Sequence, residues 1–260
     1  MFRPRIIPVL LLDKDHLVKS RSFKHHRYIG DPINAVRIFS EQRADELVFL
    51  DISATRNHRC ISTELIKNIG EEAGMPFSVG GGIRKLSQIR EIISAGAERV
   101  IIGAYAAINP SFIANAAGEF GASTISVCID VKRDAWGNQE VRIINGTQSV
   151  TRDPLKFAQL MEEKGAGEII IQSINQDGSM NGYDLELVKM ISKNIRIPTI
   201  ALGGAGTMHD LQRAHTEGWA NGLGAGSLFV YFGRRKGVLI NYPDKQEMFE
   251  GMGMTDVDRT

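Results

Sequence analysis

The sequence is poor in cysteine, in net charge and in long apolar runs, and each shortage excludes a class of protein. Two cysteines in 260 residues cannot build a disulfide framework and suit a reducing cytoplasm, where the protein is expected to reside. Thirty-one Lys+Arg against 30 Asp+Glu leave a net charge of +1, which argues against a nucleic-acid partner held by bulk electrostatics. The first apolar run, Ile6 to Leu12, is seven residues long and interrupted by Pro8. It is too short to span a bilayer, and no later run approaches that length, so no membrane partner is expected. His25-His26 has no acidic or Cys partner at ligand spacing, so neither a metal nor a cofactor is expected. What remains, 43% hydrophobic with 23% charged residues, has the composition of a chain with a packed core.

Glycine is plentiful. The 27 glycines are about 10% of the chain, against a usual share of roughly 7%. Several belong to an internal repeat. Asp31-Pro32 recurs as Asp153-Pro154, Ala44 and Glu46 as Ala166 and Glu168, and Pro76 as Pro198. Gly81-Gly82 recurs as Gly203-Gly204 and Gly96 as Gly218, all at an offset of 122 residues. Shared offsets at six sites divide the chain into two equivalent halves, about 1–122 and 123–245. Each half alternates β-branched apolar runs with helical patterns. The runs begin near Arg5, Glu46, Met75 and Arg99, then near Thr124, Glu168, Ile197 and Gly222. Asp31, Asn109 and Asp153 each precede a proline, the pairing that opens a helix. Gly96 and Gly165 stand where helices end. The expected fold is α/β, a (β/α)8 TIM barrel built from two half-barrel repeats in one domain over 1–260. A doubly wound sheet accounts less well for two equal halves. Residues from about 246 to 260 are polar, rich in Met and Gly, and are expected to fray.

In such a barrel the chemistry lies at the C-terminal strand ends. There the third strand runs into Gly81 and Gly82, the fourth into Gly103 and Ala104, the seventh into Gly203 and Gly204, and the eighth into Gly226 and Ser227. Glycine lets backbone N–H groups approach an anion, so two opposed sites could hold a ligand with a phosphate at each end; tight turning alone is the alternative. The long segment after the first strand carries Lys19, Arg21 and Lys24, read as a basic substrate lid or as a solvated loop. Cys128 lies on the inward parity of the fifth strand as a buried free thiol.

ADELVFLDI (44–52), VGGGIR (79–84), GAGEI (165–169), GYDLEL (182–187) and GGAGT (203–207) together resemble HisF, the cyclase subunit of imidazole glycerol phosphate synthase. The resemblance runs from Arg5 to about Gly233. It implies a barrel that works with a separate HisH-type glutaminase docked on the N-terminal face, whose ammonia travels through the barrel to a phosphorylated substrate. In that family two aspartates, at the ends of the first and fifth strands, perform acid–base work. The fifth-strand position is Asp130. The first-strand position is Leu11, which can neither accept nor donate a proton. Asp13 shares the parity of Leu11 two residues further along and is the other candidate acid. Asp51, Gln172 and Asp177 are further pocket candidates. Gly103, Gln172 and Leu202 stand where the family usually has Asn, Thr and Ser.

Four strands open with a charged residue: Arg5, Glu46, Arg99 and Glu168. Their parity directs them inward, where two arginines and two glutamates can pair as a neutral ring; the alternative is strand-end charges facing solvent. The family resemblance implies that this ring gates ammonia. IPVLLL (7–12), RSFKHHRYIGDP (21–32) and GVLINYP (237–243) are similar to a branch of the family associated with bacterial surface polysaccharides, whose members act with a glutaminase and a sugar amidotransferase to form acetamidino sugars. Three functions follow as expectations: ammonia delivery in acetamidino-sugar synthesis, the histidine-pathway cyclase, or a non-catalytic subunit that activates a glutaminase.

Overall fold

Eight of the apolar runs become parallel strands that close on one another. A computed structural model describes residues 3–233 and 235–252. The barrel strands are β1 (Arg5–Asp13), β2 (Leu47–Asp51), β3 (Phe77–Gly80), β4 (Arg99–Ile102), β5 (Ile125–Arg133), β6 (Glu168–Ser173), β7 (Thr199–Leu202) and β8 (Gly222–Ala225). Each pairs with the next, and β1 also pairs with β8, Arg5 opposite Gly222, so no barrel edge is left open. Helices lie between consecutive strands. Their apolar stripes bury Val36, Phe39, Ile66, Ile89, Ile113 and Leu187 in a sleeve outside the strands; burial of this kind supplies the main stabilisation. Among the described residues no helix is long and apolar enough to cross a membrane.

The repeat has physical equivalents. Asp31 accepts a hydrogen bond from Asn34 N at 2.9 Å, and Asp153 accepts one from Lys156 N at 3.0 Å, each capping a helix that starts with proline. Gly81 and Gly203 both have positive φ (137° and 92°), as do Gly82 and Gly204 (67° and 116°). The match fails at Gly96 and Gly218. Gly96 turns at φ 113°, whereas in the second half the left-handed residue is Trp219, at φ 65°. Asn109 also departs from expectation. Its N–H closes the short helix Ala104–Ile108 on Tyr105 O, and the next helix, Ser111–Phe120, starts without a side-chain cap. The tail expectation is corrected over 246–252. Asp244 caps a helix at Lys245–Gly251 through a reciprocal bond with Glu247, and Met248 and Met252 are buried. Residues 253–260 lie outside those described.

Strand alternation sorts the barrel interior into layers. At the N-terminal end the Arg5 guanidinium bridges the carboxylates of Glu46 and Glu168. Arg99 Nη1 reaches Glu46 Oε1 at 3.3 Å, and Ser78 Oγ donates to the same oxygen at 2.9 Å. Burial pushes the Glu168 carboxyl above its ordinary range, and Arg5 opposes the shift. Above this neutral floor lies an apolar cluster of Ile7, Val9, Val48, Ile101, Ile170, Ile200 and Leu202.

Arg5→Met should leave two buried carboxylates without their shared cation and cost about 3 kcal/mol, measured by urea denaturation at pH 7. The deficit should shrink at acid pH, as the Glu168 carboxyl, already raised by burial, takes up a proton. Arg37→Met, which removes an exposed pair with Glu72, should cost little.

Candidate functional site

A cavity of about 180 Å³ opens above the apolar layer, at the C-terminal ends of the strands. Its rim is made by the glycine turns, whose shape is set by neighbouring backbone. A Cβ on Gly82 would stand 1.9 Å from Arg59 O, and one on Gly204 would stand 2.1 Å from Gly182 O. Close approach by adjoining loops therefore demands glycine there whether or not a ligand binds. All eight residues expected at phosphate sites line this one cavity: Gly81, Gly82, Gly103 and Ala104 from the first half, and Gly203, Gly204, Gly226 and Ser227 from the second.

The two long segments are not open loops. His16–Arg21 and Lys24–Gly30 form an antiparallel hairpin continuing β1, and Gln139–Ile143 and Gln148–Thr151 form its counterpart continuing β5. The first hairpin corrects the picture of a solvated basic lid. Lys19 is buried, with Nζ donating to Val9 O at 2.8 Å, and burial lowers it to about 8 against the opposing pull of Asp177. Its Nζ lies where a side chain on Gly226 would be, 2.2 Å from that Cβ position, so one cation and a glycine turn meet at the same point of the wall. Arg21 and Lys24 pair across the exposed end of the hairpin; Ser20, Phe23 and His26 face the cavity instead.

The hairpin turn carries Ser22 and Phe23 at φ 50° and 60°, uncommon for residues with side chains. Asp177 holds it there: Asp177 O accepts from Ser22 N at 3.0 Å, and Oδ2 accepts from Phe23 N at 3.1 Å and Ser20 Oγ at 2.7 Å. Asp51 is likewise an organiser. It accepts from Ser53 N, Ala54 N and Arg59 Nη2 at 3.0–3.1 Å, which leaves it little capacity for a ligand.

The cavity floor is mostly apolar, with Leu11, Leu50, Ile101 and Leu202. Three polar groups interrupt it. Asp130 accepts from Cys128 Sγ at 3.6 Å, and burial raises it to about 7, with Asp177 adding to the rise. The Cys128 thiol lies on the cavity wall and is only partly buried; desolvation and the nearby Asp130 push it up, so it is a poor nucleophile. Gln172 stands beside Asp130 in the β5–β6 register, and its buried Oε1 has no hydrogen-bond partner, a situation that costs about 1–3 kcal/mol unless something satisfies it. Asp13 is not brought to Asp130: it pairs with His16 at the base of the first hairpin, away from the cavity lining. Arg84 is a lining residue that sequence reasoning missed, although its place straight after the Gly80–Ile83 turn is a readable signal; Ser20 and Phe23 carried none.

Residues 5–236 match the family described as "Histidine biosynthesis protein". The chain is 43% identical over 251 residues to the "Putative imidazole glycerol phosphate synthase subunit hisF2" of Pseudomonas aeruginosa, covering 96% of this chain and 100% of that protein. It is 45% identical over 253 residues to the "Putative imidazole glycerol phosphate synthase subunit HisF" of Leptospira borgpetersenii, with the same coverage of 96% and 100%. To the imidazole glycerol phosphate synthase subunit HisF of Alkaliphilus metalliredigens it is 41% identical over 231 residues, 89% of this chain and 92% of that one.

Asp130→Asn tests the floor. Folded Asp130 keeps its proton up to about pH 7, whereas the unfolded carboxyl releases it near pH 4. The native chain should therefore lose stability from this group as pH rises from 4 to 7. The variant should gain on the wild type across that window in denaturation experiments at pH 5 and pH 8. A constant difference would mean that Asp130 is well solvated.

Proposed function

The chain belongs to the HisF family, and from that premise we propose that it is a synthase subunit that conveys ammonia from a HisH-type glutaminase to a phosphorylated ligand in the cavity, in the formation of acetamidino sugars for lipopolysaccharide and O-antigen. The observation that carries the reading is the combination of a complete charged floor with a rebuilt upper pocket. Arg5, Glu46, Arg99 and Glu168 are assembled and mutually paired, while Leu11 faces the cavity where the cyclases place an aspartate.

The chemistry of the layers supports passage of a neutral molecule. Ammonia without charge can cross an apolar interior lined by Ile7, Val48, Ile101 and Ile170, whereas ammonium would pay a large desolvation penalty. The neutral ring closes the entrance while Arg5 spans both glutamates, so entry requires an arginine to swing aside. The glutaminase then docks on the N-terminal face around the ring. At the other end Lys19 and the two glycine rims suit phosphate, and Asp130, titrating close to neutral pH, can give or take a proton. A sugar amidotransferase is the third component on this reading.

The cyclase of histidine biosynthesis is the second reading, favoured by Asp130 and by the names of the relatives. The two separate in a histidine auxotroph that lacks its cyclase: the chain is expected not to restore growth, and robust growth overturns the acetamidino assignment. On mixing with its HisH-type glutaminase, glutamine hydrolysis should rise at least tenfold. An Ile101→Trp plug should keep that activation and abolish amidination; if amidination survives the plug, ammonia does not travel through the barrel. Binding of inorganic phosphate should fall as pH rises through about 8, where Lys19 loses its proton, and should drop at least tenfold in Lys19→Met.

A further inference from the structure

Gln172 is a polar group on the cavity floor that the preceding reading leaves unused. It is 5% exposed, lines the cavity and carries an Oε1 without a partner. Its inward parity continues from Glu168 through Ile170, so the side chain directly below it is apolar. Its neighbours in register are Asp130 on β5 and Leu202 on β7. On the β7 side its Nε2 approaches Gly203, where an added Cβ would stand 3.2 Å away. The amide therefore rests against backbone that lacks a side chain and faces a hollow.

The chemistry that completes this group is restricted. A side-chain amide offers both a donor and an acceptor in one plane, and rotation about its last torsion exchanges which of them faces the cavity. A phosphate is a poor occupant of this spot, because the Asp130 carboxyl is adjacent. A lone hydroxyl leaves one side of the pairing open. A planar acylamino group presents N–H and C=O together, and its alkyl end meets Leu11, Leu50 or Leu202. Adjacent strands lie about 4.8 Å apart, so such a group lying on Gln172 is also within reach of Asp130. We propose that Gln172 is a specificity-determining residue that pairs with a planar acylamino group on the phosphorylated ligand. This deepens the reading above and rests on it for the phosphate.

The test uses N-acetylglucosamine 1-phosphate and glucose 1-phosphate as probes, which differ in an acetamido group against a hydroxyl. Calorimetric titration of the full chain should show the acetamido probe binding about tenfold more tightly, the worth of one or two buried hydrogen bonds. Gln172→Met keeps the length of the side chain and removes the amide; it should bring the two probes to within about twofold, weakening the acetamido probe more than glucose 1-phosphate. Gln172→Leu gives the same readout should the first variant fold poorly. An equal affinity of the wild type for both probes, a preference that survives in both variants, or binding of inorganic phosphate with neither sugar each overturn the assignment. Glutaminase activation is independent of this ratio. Loss of activation with selectivity intact counts against the ammonia-delivery reading alone, and loss of selectivity with activation intact counts against Gln172 alone.

Discussion

The closed ring of eight parallel strands governs everything else in this molecule, because closure forces every second side chain of each strand into one narrow interior. An inward position must be filled by something that its layer can tolerate. At the N-terminal end charges are tolerable because they cancel: Arg5 is shared by Glu46 and Glu168, and Arg99 adds a second cation beside Glu46. One layer higher no countercharge is available and the positions are aliphatic. Where strands end and the interior widens, side chains can be polar or missing, and the cavity appears. The order of charged floor, apolar middle and open top is thus one sequence pattern, of period two, read upward along each strand.

The half-barrel repeat explains why the rim of the cavity has two similar sides, and its failures are informative. Asp31 and Asp153 cap equivalent helices, and the Gly81 and Gly203 turns share their positive φ. The floor is less symmetrical. Glu46 and Glu168 correspond, yet one arginine bonds to both while the other reaches Glu46. In the second half Lys19 reaches across from the first hairpin to the Gly226 turn; at the Gly103 turn the nearest neighbour is instead the Cys128 carbonyl, 3.9 Å from an added Cβ. On the proposed reading, a two-sided site with one lysine would hold two anionic groups unequally.

Much of this was legible from period and spacing alone. The eight strands, the inward parity of the charged quartet and the gathering of glycine turns around one mouth all follow from local pattern repeated at a fixed offset. What escaped was non-local. The turn at Ser22 and Phe23 contains no Gly, Asn or Pro to announce it, and it is held by Asp177, 154 residues from Phe23. Lys19 reads as a solvated lid residue until the hairpin folds over and desolvates it. Asn109-Pro110 has the form of a helix start, but the Asn109 backbone is already committed to ending the previous helix. The tail helix, by contrast, was announced by Asp244 and Glu247 at capping-box spacing; reading the Met and Gly content ahead of the cap misplaced it.

Among the described residues, Asp130 and Asp177 are cavity-lining carboxylates, and Asp130 stands where the floor is mostly apolar. Desolvation at the cavity wall raises Asp130 to about 7, and the nearby Asp177 adds to the rise. At neutral pH it is divided between acid and base, and as an acid it can donate a hydrogen bond that an ionised aspartate cannot. Gln172 beside it is neutral at every pH and leaves that balance undisturbed, whereas a second carboxylate would drive one of the pair further toward its protonated form. On the proposed reading, ammonia that has crossed the apolar layer adds to the amide carbon and loses two protons while the carbonyl oxygen leaves as water, and Asp130 can take a proton from the nitrogen and give one to the departing oxygen.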